Sequence, residues 1–549
     1  MSIAPSVAVD TVKKPIMPIS KGETLYVGGT GEGNYTSIQD AIDNASDGDT
    51  VFVFSGFYYE AIRIRDQINL IGEDKNTTII EGEKRHNAII LYDHYITISG
   101  FTINNTNDWA NDCGIEIQNA WGTHTTHNTI TGNIFKNQRN EAISVYESSY
   151  NTITDNLIIK SGGISTGSYC SYNVISNNTF IGSGISVWGS PKYTLISGNH
   201  ITKGGITVSR GLNNAVRNNV IENGNNIIIT WDTTNNIVEN NVLISSGTII
   251  LDESTNSNVR FNTFINSKGI TISGNKLDYW NTHEIENNNI NGKPICYYKD
   301  ENNVAVPSNA AQVIIVNCIK GSVRNLNISN VQYGIQIAFS TYIIISLNSC
   351  KNIIYPAIRC YTSSNLIITN NLIKNNSRTG ISISGDSISN KIEYNCIIQN
   401  MNGIEIGSKS SLNIIRFNSI SGNQNYGVYL SGSKNEVSKN NFEQNKMGLF
   451  LDFSYNNLIA NNNFIKNSKF HASYKVDYKK TQDNKWKRNY YDDAFLFLPK
   501  LIWGRVRTRY SWMDPSGDIS YFYRNGINFD WFPRIIPFKI DTAQECDID

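Results

Sequence analysis

Along most of the chain, Ile and Val alternate with Ser, Thr and Asn in short runs, and Gly or Asn breaks each run. Examples are "GIEIQ" (114–118), "AISVY" (142–146), "GISVW" (184–188), "GITVS" (205–209), "GIQIA" (334–338), "GISIS" (380–384), "GIEIG" (403–407) and "GVYLS" (427–431). A period of two predicts strands whose second and fourth residues face a core while the third and fifth face outward. A second mark recurs two residues before a closing aliphatic or Phe: Asn133, Asn156, Asn178, Asn199, Asn219, Asn241, Asn262 and Asn288, then Asn348, Asn371, Asn395, Asn418, Asn440 and Asn462. Within each series the steps run from 20 to 26 residues. Self-similarity at that period is the mark of a solenoid. A leucine-rich repeat would need Leu at set places and a helical turn, whereas this alternation describes short strands and tight corners. The fold class is all-β: a single-stranded parallel β-helix of about 22 residues per coil and roughly 16 coils.

At a corner, Asn tolerates the left-handed backbone and bonds nearby main-chain groups. Stacked roughly 4.8 Å above its counterpart, its amide can run as a ladder from coil to coil. Near the start, "YTSIQDAIDNASDGDTVFVFSGFYYEAIRI" (35–64) places Ile38, Ala41, Ile42 and Ala45 at i, i+3, i+4 and i+7, one apolar helix face suited to covering an open first coil. The "DGD" that follows turns the chain into a strand. These repeats and this cap resemble the NosD-like family of right-handed parallel β-helix proteins, named for a periplasmic copper-binding accessory protein, over about 25–470. The resemblance implies the right hand, in keeping with the crossover rule for parallel strands. It also implies a place among carbohydrate-binding proteins and sugar hydrolases. The expected organisation is a flexible segment over 1–22, the cap and first coils over 23–110, and a first half over 111–290. An insertion follows over 291–320, where the register breaks, then a second half over 321–469 and an aromatic-rich cap over 470–549. The insertion and the closing segments ("NKWKRNYYDD", "LPKLIWGRVR") resemble those of archaeal surface members of the family.

Lys plus Arg and Asp plus Glu both number 47, so no global charge steers the chain toward nucleic acid or an anionic membrane. Charged residues are 17%, and Asn, Ser, Thr and Gly supply the polarity instead, which suits neutral polar partners such as sugars. No run of apolar residues is long enough for a spanning helix, and the first 20 residues do not read as a secretory signal. With the family resemblance, the expected location is extracellular or at the cell surface. The eight Cys show no metal-ligand spacing and are expected to be mostly free, buried thiols.

Because a solenoid stacks equivalent positions into lines, outward residues of successive coils share a surface. The fifth strand position reads Gln118, Tyr146, Thr166, Trp188, Ser209, Thr230 and Asp252, and the next reads Asn119, Glu147, Gly167, Gly189, Arg210, Trp231 and Glu253. Tyr146, Glu147, Trp188, Arg210, Trp231 and Asp252 are therefore the expected ligand-binding residues. Ring faces take sugar C–H groups, and the charges take hydroxyls or uronates. If the chain is an enzyme, Asp232, Asp252 and Glu253 on adjacent coils supply carboxyls and Arg210 a basic group. A lyase of that kind would call for Ca²⁺. The signatures of polygalacturonases, pectate lyases and epimerases are lacking, so a non-catalytic glycan-binding or scaffold protein is the leading expectation, with no committed cofactor. The alternatives are a polysaccharide-degrading enzyme and a copper accessory protein. For a metal the only close pair is His124 and His127, in "GTHTTHN", with five Met in all. Self-association through coil faces or the C-terminal cap is the remaining partner expectation.

Overall fold

The computed structural model describes residues 22–82, 87–104, 113–118, 125–477, 483–494, 498–513, 519–530, 533–534 and 536–540, with backbone alone for residue 506 and for those between 508 and 526. The expected flexible segment and Cys546 lie outside these. The chain is an all-β parallel solenoid of about 20 turns with about 22 residues in each. Turns without a counted corner Asn include those ahead of Asn133. There Thr24–Val27, Thr50–Val53, Asn69–Gly72 and Thr97–Ser99 already stack in parallel register without a corner Asn to mark them. Two compact units divide the chain, residues 1–204 and 205–549.

In the first unit each turn lays one short strand on each of three faces, as in Thr152–Thr154, Leu157–Ile159 and Ile164–Thr166. Like residues stack on like: Ile130, Ile153, Ile175 and Ile196 form one inward column, and Phe135, Ile158, Phe180 and Ile201 another, all fully buried. Burial on this scale, at roughly 25 cal/mol per Å² of apolar surface, is the main force holding the coils together. The corner amides do the polar work. The Nδ2 of Asn156 donates to Ile130 O, Thr154 O and Asn178 Oδ1, and that same Oδ1 accepts the backbone N–H of Asn156 at 3.1 Å. The ladder Asn themselves are buried, and the residue before each takes the left-handed turn: Asp155 at φ 57°, Asn177 at 56°, Gly198 at 66°. The cap helix, Ile38–Asp43, starts on Ser37, and the Glu60 carboxylate holds the N–H groups of Ile38 and Gln39. Ile38, Ala41 and Ile42 are buried beneath it, while Ala45 falls beyond its end.

The second unit repeats the plan. At residues 291–318 a tight turn sets Lys293–Lys299 antiparallel to Asn289–Ile290, and the same strand then pairs in parallel with Gln312–Val316, so the segment feeds strands into the solenoid. Just before it, a short helix Asp278–Asn281 buries Trp280, whose ring stacks 6.0 Å from Tyr361 under the Arg359 guanidinium. Toward the end, Phe442, Phe464 and Tyr491 stack inside the last turns at 4.9 and 5.1 Å, and Trp486, next to Ile459 on another face, is also buried. A long antiparallel hairpin, Lys500–Met513 with Ile519–Asp530, pairs in parallel with Phe470–Asp477 and covers that strand's edge. Its final residue, Asp530, is buried and closes the corner ladder. One carboxylate oxygen accepts both the backbone N–H and the Nδ2 of Asn489, at 3.0 and 2.9 Å. Cys170, Cys318, Cys350 and Cys360 are buried free thiols, Cys296 is a half-buried one, Cys113 is buried with its Sγ against Glu141, and Cys396 is disulfide-bonded.

Candidate functional site

In the first unit Val145 pairs with Thr166 and Thr166 with Val187, so the outward column is Tyr146, Gly167, Trp188. Thr166 is buried, one place out of the column expected for it. Gly167 lets the two rings close over the backbone between them. A Cβ there would stand 2.8 Å from Tyr146 Cδ2 and 3.4 Å from Trp188 Cζ2. Tyr146 is 43% exposed and Trp188 45%, and the indole N–H of Trp188 donates to Ser165 Oγ at 3.1 Å, which fixes its tilt. Glu147 takes the left-handed corner beside Tyr146, at φ 48°. Around that corner runs a second line of aromatics that sequence reading passed over: Tyr95, His127, Tyr150, Tyr172 and Tyr193, stacked at 4.8–5.1 Å. Its signal was an aromatic directly before the corner polar residue, as in "SYN", "SYN" and "KYT". These rings occupy one another's faces and present edges and hydroxyls to solvent. His127 is thus a rung of the ladder, with a pKa held down by burial and by His94. Its proposed companion, His124, lies outside the described residues.

The second unit holds the other predicted residues. Ser209, Thr230, Asp252 and Ser273 are successive rungs of one column. Both carboxylate oxygens of Asp252 are engaged, by the Thr230 hydroxyl at 3.1 Å and the Ser273 hydroxyl at 2.5 Å. Arg210 lies over the Trp231 ring at 5.5 Å, and Trp231 is 55% exposed. Asp232 donates its backbone N–H to Glu253 O and accepts the Tyr279 hydroxyl at 3.1 Å. Arg210, Trp231, Asp232 and Glu253 all sit in the left-handed region. The corner backbone, not the strand, therefore aims these side chains.

Later turns, bland at position five, carry their chemistry at position three. Glu405, Tyr429 and Phe450 are register partners on one outward column. Tyr426 stacks on Phe450 with centroids 5.3 Å apart. The Tyr429 hydroxyl donates to Asp452, and burial together with that carboxylate pushes the phenol upward. Beyond them a cavity of about 690 Å³ opens between residues 466–472, 492–494 and 498–503. Inside it, His471 Nε2 lies 2.8 Å from Asp492 and 3.2 Å from Asp493, and Lys500 Nζ lies 2.6 Å from Asp493. Burial, the largest influence, lowers the His471 pKa against the pull of the two carboxylates.

Residues 42–227 and 286–495 match the family described as periplasmic copper-binding protein (NosD). The chain belongs to the NosD family. No curated protein matches it in sequence. Among solved structures it is similar to a lacto-N-biosidase from Eubacterium ramulus, at 13% identity over 49% of this chain and 67% of that one, TM-score 0.33. It is also similar to a DFA-IIIase from Arthrobacter chlorophenolicus A6, at 12% identity over 59% and 94%, TM-score 0.38. A third is a mannuronic acid specific polysaccharide family 6 lyase from human gut microbiota, at 12% identity over 72% and 86%, TM-score 0.28.

Copper, which the family's description names, can be tested against the donors present. Among the described residues, His471, Asp492 and Asp493 are the one group whose ligand atoms come together, all within 4.8 Å. Asn467 decides how the imidazole is protonated. Its Oδ1 accepts both N–H groups of Asn445, so its Nδ2 faces His471 Nδ1, at 3.2 Å. That nitrogen is then the acceptor, and Nε2 carries the proton that points at the carboxylates. One protonated imidazole nitrogen and two hard carboxylates, with an ammonium already on one of them, do not fit copper, which favours imidazole lone pairs and sulfur.

Proposed function

We propose that this NosD-family protein is a non-catalytic polysaccharide-binding protein acting outside the cytoplasm, at the cell surface or beyond it. The observation that carries this reading is the Tyr146–Gly167–Trp188 column. It offers two half-exposed rings, one of them fixed in tilt, on either side of a residue with no side chain. Rigid aromatic surface of this kind binds sugar C–H faces with little loss of conformational freedom. Glu147 beside it is the proposed polar contact; in the second unit, taken by itself, Arg210, Trp231 and Asp252 are proposed as a separate set of glycan contacts. The location is supported by the family's periplasmic description.

A second reading, polysaccharide cleavage, rests on Asp232, Asp252 and Glu253 with Arg210 on neighbouring turns. Against it, both oxygens of Asp252 already hold hydroxyls, the arrangement of an anchored carboxylate. Purified protein applied to neutral and acidic polysaccharides, scored together for retention and for new chain ends, separates the readings. Retention without new ends, lost in the Tyr146→Ala/Trp188→Ala double variant, is the expected result. New ends that vanish in Asp252→Asn would replace it with an enzyme. Neither retention nor cleavage, with concentration-dependent self-association, would make the protein architecture.

A further inference from the structure

The outward face of the last turns in the second unit is paved and leads to a cavity. One column runs Glu405, Tyr429, Phe450, Ser473, and the Ser473 hydroxyl donates to Trp503 O at 2.8 Å, placing Trp503 next in line. The neighbouring column runs Asn402, Tyr426, Met447, Phe470. Trp503 and Phe470 are exposed, and both line the 690 Å³ cavity. That volume lies inside the range of roughly 300–1,000 Å³ typical of small-molecule sites. The acceptors at its base are fixed from behind. Asp492 takes the His471 N–H and the Lys466 backbone N–H at 2.7 Å, and Asp493 takes the same imidazole and the Lys500 ammonium. Asp493 remains largely open and Asp492 partly so, and each carboxylate oxygen can accept a second hydrogen bond.

We infer that this cavity is a saccharide chain-end site, with Asp492 and Asp493 accepting hydroxyls of the terminal sugar, Trp503 and Phe470 packing on its ring, and the Tyr426–Tyr429–Phe450 strip carrying the units behind it. Paired carboxylates beside an exposed indole match a ring that is polar at its edge and apolar on its faces. The cavity lies at the C-terminal end of the Tyr429–Phe450 strip and takes its lining from three segments, residues 466–472, 492–494 and 498–503, so a chain laid along the strip enters it by its terminus. The inference takes its ligand class from the glycan-binding reading but uses none of the residues that carry it.

The test is calorimetric titration of full-length protein with two probes, cellohexaose as a neutral chain and hexagalacturonate as an acidic one. In the Tyr146→Ala/Trp188→Ala background, which removes the first-unit column, one of them is expected to bind and to weaken at least about tenfold when Trp503→Ala or Asp492→Asn is added. Competition by the parent polymer should follow its number of ends, not its mass. Binding that ignores Trp503 and Asp492, competition that follows mass, or no binding of either hexamer overturns the inference. Polymer retention lost in the Tyr146/Trp188 variant would leave the glycan-binding reading standing in each of those cases. Trp503→Phe, which keeps an aromatic ring, guards against misfolding. It should retain most of the affinity with an unchanged melting temperature, and loss equal to that of Trp503→Ala without unfolding would also contradict the stacking role.

Discussion

At most turns from Asn133 onward, a corner asparagine does what no apolar residue of its size can. Asn178 sends its Nδ2 to Ile153 O, Ser176 O and Asn199 Oδ1, while its own Oδ1 accepts the main-chain and side-chain N–H of Asn156. Asn178→Ala strips the buried Asn156 backbone N–H of its acceptor and takes one donor each from Ile153 O, Ser176 O and Asn199 Oδ1 in a dry corner. The expected loss is about 2–4 kcal/mol, read as a lower denaturant midpoint. Asn178→Ser, which keeps one acceptor and one donor, should lose less. His283 stands in the same kind of buried place: its Nδ1 accepts the Ser257 N–H and its Nε2 faces Tyr279 O. Burial drives its pKa from 6.5 down to about 4. Between those values the unfolded chain binds the proton and the folded one does not, so stability is complete above about pH 6.5 and falls as pH drops toward 4. Thermal unfolding across that window should show a slope that flattens in His283→Asn, and an unchanged slope would contradict the assignment. The ladder itself was legible in the sequence, since the amides recur at a fixed step. Which residue turns left-handed was not. An inward-facing amide needs its predecessor to make the corner, a role filled by Asp155, Asn177 and Gly198, which share no side-chain chemistry.

At the level of elements, the strands were readable from the period-two pattern, and the cap helix from its apolar positions, three of which, Ile38, Ala41 and Ile42, lie in it. The aromatic-rich end was readable as a cap, but its form was not. Lys500–Met513 and Ile519–Asp530 make a hairpin whose pairing with Phe470–Asp477 depends on contacts far apart in the chain. Gly504 shows how close that docking is: a Cβ there would lie 2.4 Å from the Tyr474 ring. Gly504→Val should lower the melting temperature, and truncation after Ala494 should leave the edge of Phe470–Asp477 unpaired. Sedimentation of the truncated chain is expected to show oligomers that the intact chain lacks, and a monomer would mean the edge is protected some other way. Reading only the fifth position of each repeat hid Glu405, Tyr429 and Phe450, which stand at the third. In a strand both positions point outward, and only the corner geometry decides which of them is displayed.

For the whole molecule, family and fold follow from the repeat alone, because a solenoid is built from nearest-neighbour stacking and the repeat encodes each neighbour. The sites do not follow in the same way. Tyr146 and Trp188 were visible as outward aromatics, but the glycine between them belonged to a register that one shifted residue, Thr166, disguised. The cavity around His471 is assembled from residues 466–472, 492–494 and 498–503, with no spacing rule that links them. The central claim is that the outer aromatics bind polysaccharide without cutting it. Retention of the protein on immobilised neutral and acidic polysaccharides, with chain ends counted in the same samples, tests this most directly. The account predicts retention, no increase in ends, and loss of retention in Tyr146→Ala/Trp188→Ala; new ends, or retention indifferent to those two rings, would contradict it.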